Sequence, residues 1–187
     1  MAWVFSGVLF VFGGWLLGQG LWIHAKANMA QLLLTHAWTE TLDSQKPAKP
    51  WPWADTWPVG RLDVPRLGIS QIILADASGR SLAFGPGWIG NGRFPRAAQS
   101  LLLSGHRDTH FSYLRDVRVD DRIKVQTRKG GWITYTVVDT AVVDSRTTEL
   151  RGHQNSDSLT LITCYPFDAL VPGGPLRYVV RATSIHD

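Results

Sequence analysis

The chain has 187 residues, of which 44% are hydrophobic and 18% charged, so it is able to bury a core and is not intrinsically disordered. The 19 Lys and Arg exceed the 15 Asp and Glu by only four, and they are scattered singly, which argues against the clustered basic footprint of a nucleic-acid-binding protein. A single cysteine excludes an intramolecular disulfide and a multi-cysteine metal cluster. This length predicts one globular domain with some chain left over.

The first 25 residues contain no Asp, Glu, Lys or Arg. Residues 3–23 are mostly apolar, with Gln19 as the only strongly polar residue and with Trp3 and Trp22 near the two ends. As a helix this segment is about 32 Å long, close to the ~30 Å hydrocarbon core of a bilayer. We therefore predict an N-terminal transmembrane helix, an anchor over residues 1–25. The alternatives are a buried core helix and a cleaved signal peptide, but a signal peptide needs a basic start and a shorter apolar run.

Residues 26–58 separate this segment from the rest of the chain. Residues 26–42 contain good helix formers, which predicts a juxtamembrane helix that continues the anchor or lies along the membrane surface. Residues 43–58 contain four prolines and three tryptophans, so we predict an extended linker there. We expect the tryptophan rings to pack on the domain, with contact to the bilayer interface as the alternative.

From residue 59 onward the sequence changes to short β-like runs divided by Gly, Pro and Asp. The predicted strands are 61–64, 69–74, 100–104, 122–127, 132–143, 158–164 and 176–183. Short helical turns are predicted at 78–83 and 111–115. Seven or so strands with no long helix between them predict a mainly β domain over residues 59–187, either an antiparallel barrel or a sandwich.

Three motifs resemble sites of other protein classes. Residues 85–90 fit the dinucleotide-binding pattern G-x-G-x-x-G, but a proline lies inside the motif and no helical run follows it. Residues 106–108 match the His-Arg-Asp triplet of kinases, but the chain lacks the length and the other kinase motifs. A zinc site built from His106, His110 and Cys164 stays open, although the glutamate of an H-E-x-x-H motif is absent.

Cys164 is the last residue of the predicted strand 158–164. A lone cysteine is most often an inert buried residue. Here it faces a loop, while His106 follows another predicted strand and Arg177 begins a third. If strands 158–164 and 176–183 pair antiparallel, Cys164 and Arg177 lie at the same end of the sheet. A thiolate, an imidazole and a guanidinium in one cleft suit nucleophilic attack on a carbonyl, with proton transfer and oxyanion stabilisation.

The sequence resembles the sortase family in several segments that follow the family's order. Residues 160–164, TLITC, resemble the T-L-x-T-C signature, and residues 104–117, SGHRDTHFSYLRDV, resemble the histidine segment. Residues 175–182, PLRYVVRA, resemble the strand that carries the essential arginine. With the opening strands and the middle strand pair, the resemblance spans about residues 59–183. The Trp-bearing anchor and the glycine-rich turn at 85–92 are most similar to the Gram-negative (marine proteobacterial) class of sortases.

This resemblance implies a sortase-type closed β-barrel of about eight strands with short helices, preceded by the transmembrane helix. The family's nucleophile falls on Cys164, its histidine on His106 and its arginine on Arg177. Thr163 matches a position that helps to shape the substrate site. The resemblance carries over no metal ligand and no cofactor.

The implied function is that of a membrane-anchored cysteine transpeptidase. Such an enzyme cleaves a C-terminal LPxTG-like sorting signal on a target protein through a Cys thioester and transfers the target to an amine acceptor. The alternatives are a membrane-tethered cysteine peptidase on the same fold and a non-catalytic binding module with a buried cysteine. We expect specificity to reside in the loops at 144–157 and 165–175. We also expect a single-pass protein of the cell inner membrane, with its catalytic domain on the periplasmic side and with no nucleic-acid partner.

Overall fold

The structure, a computed structural model, describes residues 2–90, 94, 100–148, 157–169 and 173–184. One long helix, α1 (Ala2–Ser44), precedes the strands. The strands are β1 (Pro58–Val64), β2 (Ile69–Leu74), β3 (Gly87–Trp88), β4 (Leu101–Ser104), β5 (Arg122–Thr127), β6 (Trp132–Asp144), β7 (Ser158–Cys164) and β8 (Leu176–Ser184). Short 3-10 turns lie at Pro65–Leu67, Ser81–Ala83 and Ser112–Asp116.

The eight strands close into a barrel in the order β1-β2-β3-β4-β7-β8-β6-β5. The pairs β2–β3 and β4–β7 are parallel, and the remaining neighbours within this order are antiparallel. The predicted closed barrel is therefore confirmed, and each of the seven predicted strands is present. The eighth strand, β3, is only two residues long, which is too short for an alternating pattern to predict.

The barrel core is filled by alternate side chains of the strands. Along β1, for example, every second residue is buried, which leaves the intervening residues on the outer face. A second, smaller apolar cluster lies on the outer face and packs four strands together. Its members are Leu102, Ile162, Val179 and the partly buried Val143. This outer cluster includes one residue from each of β4, β7 and β8, the three strands that carry the candidate site residues.

The C-terminal part of α1 packs on the barrel. Its buried residues recur at helical spacing and define one face. They are Ala30, Leu34, Ala37, Trp38 and Thr41. Leu34 and Trp38 pack against Ile72 and Leu74 of β2, and Trp38 Nε1 donates a hydrogen bond to Gln126 Oε1 at 3.1 Å. The predicted helix at 26–42 is therefore present as a continuation of the first helix, and no break occurs at residue 25.

The membrane span predicted for residues 1–25 is not found. Among the residues that the structure describes, no helix is both long enough and apolar enough to cross a bilayer. This finding corrects the predicted anchor, although the segment is helical as expected.

The chain leaves α1 through Gln45, whose φ of 58° is left-handed and ends the helix. The linker that follows packs partly on the barrel, as expected. The ring of Trp51 contacts Phe84 edge-on, with ring centroids 5.2 Å apart, whereas Trp53 is 79% exposed.

The glycine-rich turn around β3 passes close to another part of the backbone. A Cβ at Gly87 would lie 2.2 Å from the carbonyl oxygen of Asp76, so only glycine fits there. No helix begins within residues 85–90, so the dinucleotide motif lacks the geometry that it requires. Residues 91–93 of this turn lie outside the described residues.

Candidate active site

Cys164 is the last residue of β7, and Arg177 lies opposite it on β8. Just beyond this pair, the backbone N–H of Tyr165 donates to the carbonyl oxygen of Leu176 at 3.1 Å. Because hydrogen-bonded and non-hydrogen-bonded pairs alternate along antiparallel strands, Cys164 and Arg177 form a non-hydrogen-bonded pair, in which facing side chains are closest. The predicted antiparallel pairing is confirmed, and it places Cys164 and Arg177 opposite each other on the same face of the sheet.

His106 reaches the same place from the other side of β7. Strand β4 runs parallel to β7, with Ser104 beside Ile162. The N–H of Gly105 donates to the carbonyl oxygen of Ile162 at 3.2 Å, so the register continues past the end of β4. The exposed His106 is the next residue, so it follows β4 at the end of the sheet where β7 ends in Cys164. One end of the sheet therefore carries His106 just after β4, Cys164 at the end of β7 and Arg177 near the start of β8, and we call these three residues the row.

The turn that carries His106 is held by contacts at its base. Thr163 Oγ1 donates to the carbonyl oxygen of Gly105 at 2.8 Å. A Cβ at Gly105 would lie 2.7 Å from the ring of Phe111, so the turn packs against that ring only because residue 105 is glycine. The N–H of Phe111 in turn donates to the carbonyl oxygen of His106 at 3.0 Å. These contacts fix the backbone from which the imidazole projects.

Thr163, predicted to shape the substrate site, is only 2% exposed. Neighbouring residues of a strand face opposite sides, so Thr163 lies on the inner face of β7 and Cys164 on the outer face. The hydroxyl of Thr163 is used in the bond to Gly105. Its influence on a substrate would therefore pass through the turn that carries His106.

Arg177 is oriented by the connection between β7 and β8. Its Nη1 donates to the carbonyl oxygens of Gly174 and Leu176, at 2.6 and 2.8 Å. Its Nε and Nη2 make no hydrogen bond to any residue in the described ranges. The guanidinium is thus fixed through one nitrogen, and its other donors are able to bind a ligand.

Aromatic rings support the start of this connection. Tyr165 stacks on Tyr178 with ring centroids 6.2 Å apart, and Phe167 contacts Tyr178 edge-on at 5.2 Å. The guanidinium of Arg115 lies 5.2 Å from the centre of the Phe167 ring. The loop that follows Cys164 is therefore packed at its beginning.

Parts of the two predicted specificity loops lie outside the described residues. These parts are residues 149–156 of the loop at 144–157 and residues 170–172 of the loop at 165–175.

His110 is not one of the row residues, and its side chain faces the 3-10 turn at Ser81–Ala83. Its Nε2 lies 3.3 Å from the carbonyl oxygen of Ala83. Burial holds the pKa of His110 below its ordinary value of 6.5, the Ala83 carbonyl opposes this shift, and the nearby His106 adds to it. Within the described part of the chain, no three His, Cys, Asp or Glu side chains are arranged to hold a metal ion. The zinc alternative with His106, His110 and Cys164 therefore gains no support from the geometry.

One residue of the site was missed in the sequence. Arg107, assigned only to a kinase-like triplet, is buried and donates from Nη1 to the carbonyl oxygen of Pro166 at 2.7 Å. In the sequence, the only feature that pointed to Arg107 was its position as a charged residue directly after the candidate histidine. Its burial depends on the loop after Cys164 folding over it, which no local pattern predicts.

The row contains the three groups that acyl transfer by a cysteine needs. The thiolate of Cys164 is a nucleophile, the imidazole of His106 is able to move protons, and the guanidinium of Arg177 is a fixed donor for a developing oxyanion. Cys164 is partly exposed, so a substrate is able to reach it.

Comparison with known proteins agrees with this geometry. A family model described as the sortase domain matches residues 62–185. Sortase D of Bacillus subtilis (strain 168) is 30% identical over 127 residues, which are 67% of this chain and 63% of that protein. The chain thus spans less than two thirds of the length of this relative.

Solved sortase structures share the fold. Sortase C-1 from Actinomyces oris is 27% identical, and the match covers 70% of this chain and 74% of that chain with a TM-score of 0.60. A lid mutant of sortase A from Corynebacterium diphtheriae is 21% identical, and the match covers 87% and 93% of the two chains with a TM-score of 0.63.

A closed β-barrel with a cysteine, a histidine and an arginine in one row defines the class of protein, and the chain belongs to the sortase family. Sortases are generally cysteine transpeptidases.

Proposed function

We propose that this chain is a cysteine transpeptidase that acts on a protein with a C-terminal LPxTG-like sorting signal. The observation that carries the proposal is the row formed by His106, Cys164 and Arg177 across three neighbouring strands. Membership of the sortase family supports the reaction class, and the sorting signal follows from the resemblance to that family.

In the first half of the proposed reaction, the thiolate of Cys164 attacks the carbonyl carbon of the scissile peptide. A C–S bond forms, and the carbonyl oxygen becomes an oxyanion that the free donors of Arg177 stabilise. The intermediate collapses with cleavage of the C–N bond, and His106 gives its proton to the leaving amine. The target protein is then held on Cys164 as a thioester.

In the second half, an amine acceptor resolves the thioester. His106, now neutral, takes the proton from the incoming amine, whose nitrogen attacks the thioester carbonyl. Arg177 again stabilises the oxyanion, the C–S bond breaks, and Cys164 leaves as a thiolate. A new amide joins the target protein to the acceptor.

Two finer assignments belong to the same proposal. Assignment to the Gram-negative class of sortases is supported by the length of α1 and by the glycine-rich turn around Gly87. Localisation at the inner membrane, with the catalytic domain outside the cytoplasm, is supported by the apolar side chains exposed on the first half of α1, such as Trp3 at 92% and Phe10 at 86%. Cell fractionation and protease accessibility in spheroplasts, whose outer membrane has been opened, test this localisation.

The decisive experiment compares transfer with hydrolysis. The full chain is incubated with peptides that carry LPxTG-like signals, with and without an amine acceptor, and products are identified by mass spectrometry. Ligated peptide that requires both Cys164 and the amine supports the transpeptidase. Hydrolysis without ligation at high amine concentration favours the cysteine peptidase. A binding module predicts no product and no effect of Cys164→Ala on function in the cell.

A further inference from the structure

Arg107 is the only buried Lys or Arg in the part of the chain that the structure describes, with 7% of its surface exposed. Its Nε and Nη2 donate to the carboxylate of Asp108 at 2.6 and 3.0 Å. Its Nη1 donates to the carbonyl oxygen of Pro166 at 2.7 Å, and Nη2 also donates to that of Ala169 at 3.0 Å. All three side-chain nitrogens of Arg107 thus donate hydrogen bonds, to Asp108 on one side and to the loop after Cys164 on the other.

A buried cation is costly unless its donors are satisfied. The planar fork of an arginine satisfies this condition here, because one edge binds a carboxylate while the other reaches two loop carbonyls. The hydrogen bond to Asp108 is the main reason that the pKa of Arg107 is raised, and burial opposes it. The charges of Asp108, Cys164 and Asp168 raise it further, so Arg107 lies within electrostatic reach of the candidate nucleophile.

The contacts of Arg107 join two segments that flank the catalytic row. Arg107 directly follows His106, and Pro166 is the second residue after Cys164. At the other end of the same connection, Arg177 donates to the carbonyl oxygens of Gly174 and Leu176. Two arginines therefore hold the two ends of the connection between β7 and β8.

We propose that Arg107 is a positioning residue, which clamps the segment after Cys164 to the His106 turn and holds the adjacent wall of the substrate site. This inference rests on the proposed function and on the expectation that the loop at 165–175 helps to determine specificity. Arg107 acts through Pro166 and Ala169 and does not touch the reacting atoms.

The test uses Arg107→Gln and Arg107→Lys in the full chain, with Arg181→Gln as the control. Arg181 pairs with Asp139 on the outside of the barrel, so the control also removes an arginine from an ion pair. Three quantities are measured: kcat and KM for transfer of an LPxTG-like peptide, and hydrogen exchange of the backbone amides within 165–169, all but that of Pro166, which has no N–H. Circular dichroism establishes that each variant is folded.

In Arg107→Gln we expect KM to rise about tenfold and kcat to fall about 10- to 100-fold, because both the substrate wall and the reacting groups lose their alignment. Exchange at 165–169 becomes faster. Arg107→Lys keeps the charge but cannot bridge both sides, so it gives intermediate values. Arg181→Gln matches the wild type in all three measurements.

Unchanged KM, kcat and exchange in folded Arg107→Gln overturn the proposal. If that variant does not fold, unchanged values in Arg107→Lys overturn it instead. The outcome is separate from the fate of the proposed function. If the wild type transfers no peptide, faster exchange at 165–169 in the Arg107 variants still supports the clamp, and unchanged exchange refutes it.

Discussion

Cys164 and Arg177 face each other as the last of seven consecutive residue pairs between β7 and β8. The pairing fixes the two residues opposite each other through a continuous backbone ladder, and the loop carbonyl of Gly174 then helps to orient the guanidinium. A slip of one residue would move one of the two side chains to the opposite face of the sheet. The register of β7 and β8 is therefore part of the catalytic apparatus.

The oxyanion role of Arg177 predicts the behaviour of Arg177→Lys. A lysine keeps the positive charge but lacks the fork that binds the loop carbonyls and the oxyanion together. We expect kcat to fall about 10²- to 10³-fold with little change in KM. Steady-state peptide transfer measures both constants, and Arg181→Lys serves as the control. Near-wild-type kcat in Arg177→Lys would contradict the role.

The two histidines near the site are expected to differ in importance. His106→Ala removes the proton donor and acceptor, so we expect kcat to fall about 10²- to 10⁴-fold. His110→Ala removes a side chain that faces Ala83 and has no partner in the reaction. We expect His110→Ala to lower kcat much less than His106→Ala does, as measured by the same transfer assay. Equal losses would return attention to a shared metal site.

The close packing of Gly105 predicts a stability effect. Gly105→Ala forces a Cβ to within 2.7 Å of the Phe111 ring, and we expect a loss of about 1–3 kcal/mol in the free energy of unfolding. Gly79→Ala is the control, because nothing lies within 4 Å of the added Cβ. Urea denaturation of both variants checks the prediction, which fails if the two have the same midpoint.

His110 predicts part of the pH dependence of stability. Because burial lowers its pKa in the folded state below the ordinary 6.5, the unfolded chain binds a proton first as the pH falls. The contribution of His110 to stability is therefore present above about pH 6.5 and is lost as the pH falls toward the folded-state pKa.

Urea midpoints at about pH 7.5 and about pH 5.5 measure this contribution. The difference between the two midpoints should be smaller in His110→Gln than in the wild type. An equal difference would show that the imidazole of His110 has the same pKa in both states.

Much of the fold follows from local patterns in the sequence. Strand β7 is an example, since the alternation that places Leu159 and Leu161 on one face agrees with their complete burial. The parallel pairing of β4 with β7 could not be predicted, because it joins segments far apart in the chain. That pairing brings the end of β4, which precedes the His106 turn, to the end of β7, so without the structure this arrangement rests on the family resemblance.

For helix α1, the sequence predicts the helix but not the surface on which it packs. The sequence predicts that the helix at 26–42 continues the anchor or lies along the membrane surface, whereas its apolar residues Leu34 and Trp38 pack on β2. Hydrophobicity alone does not tell which apolar surface covers a helix face. Arg107 was missed for a related reason, because its partners Pro166 and Ala169 come from a distant loop.

Acyl-enzyme formation at Cys164 is measured by the intact-protein mass spectrum of the full chain after mixing with LPxTG-like peptides and no amine. We expect a mass increase equal to the acyl part of the peptide, absent in Cys164→Ala and lost on addition of an amine. An adduct that persists in Cys164→Ala, or no adduct with any peptide although Cys164 reacts with iodoacetamide, would contradict acyl-enzyme formation at Cys164.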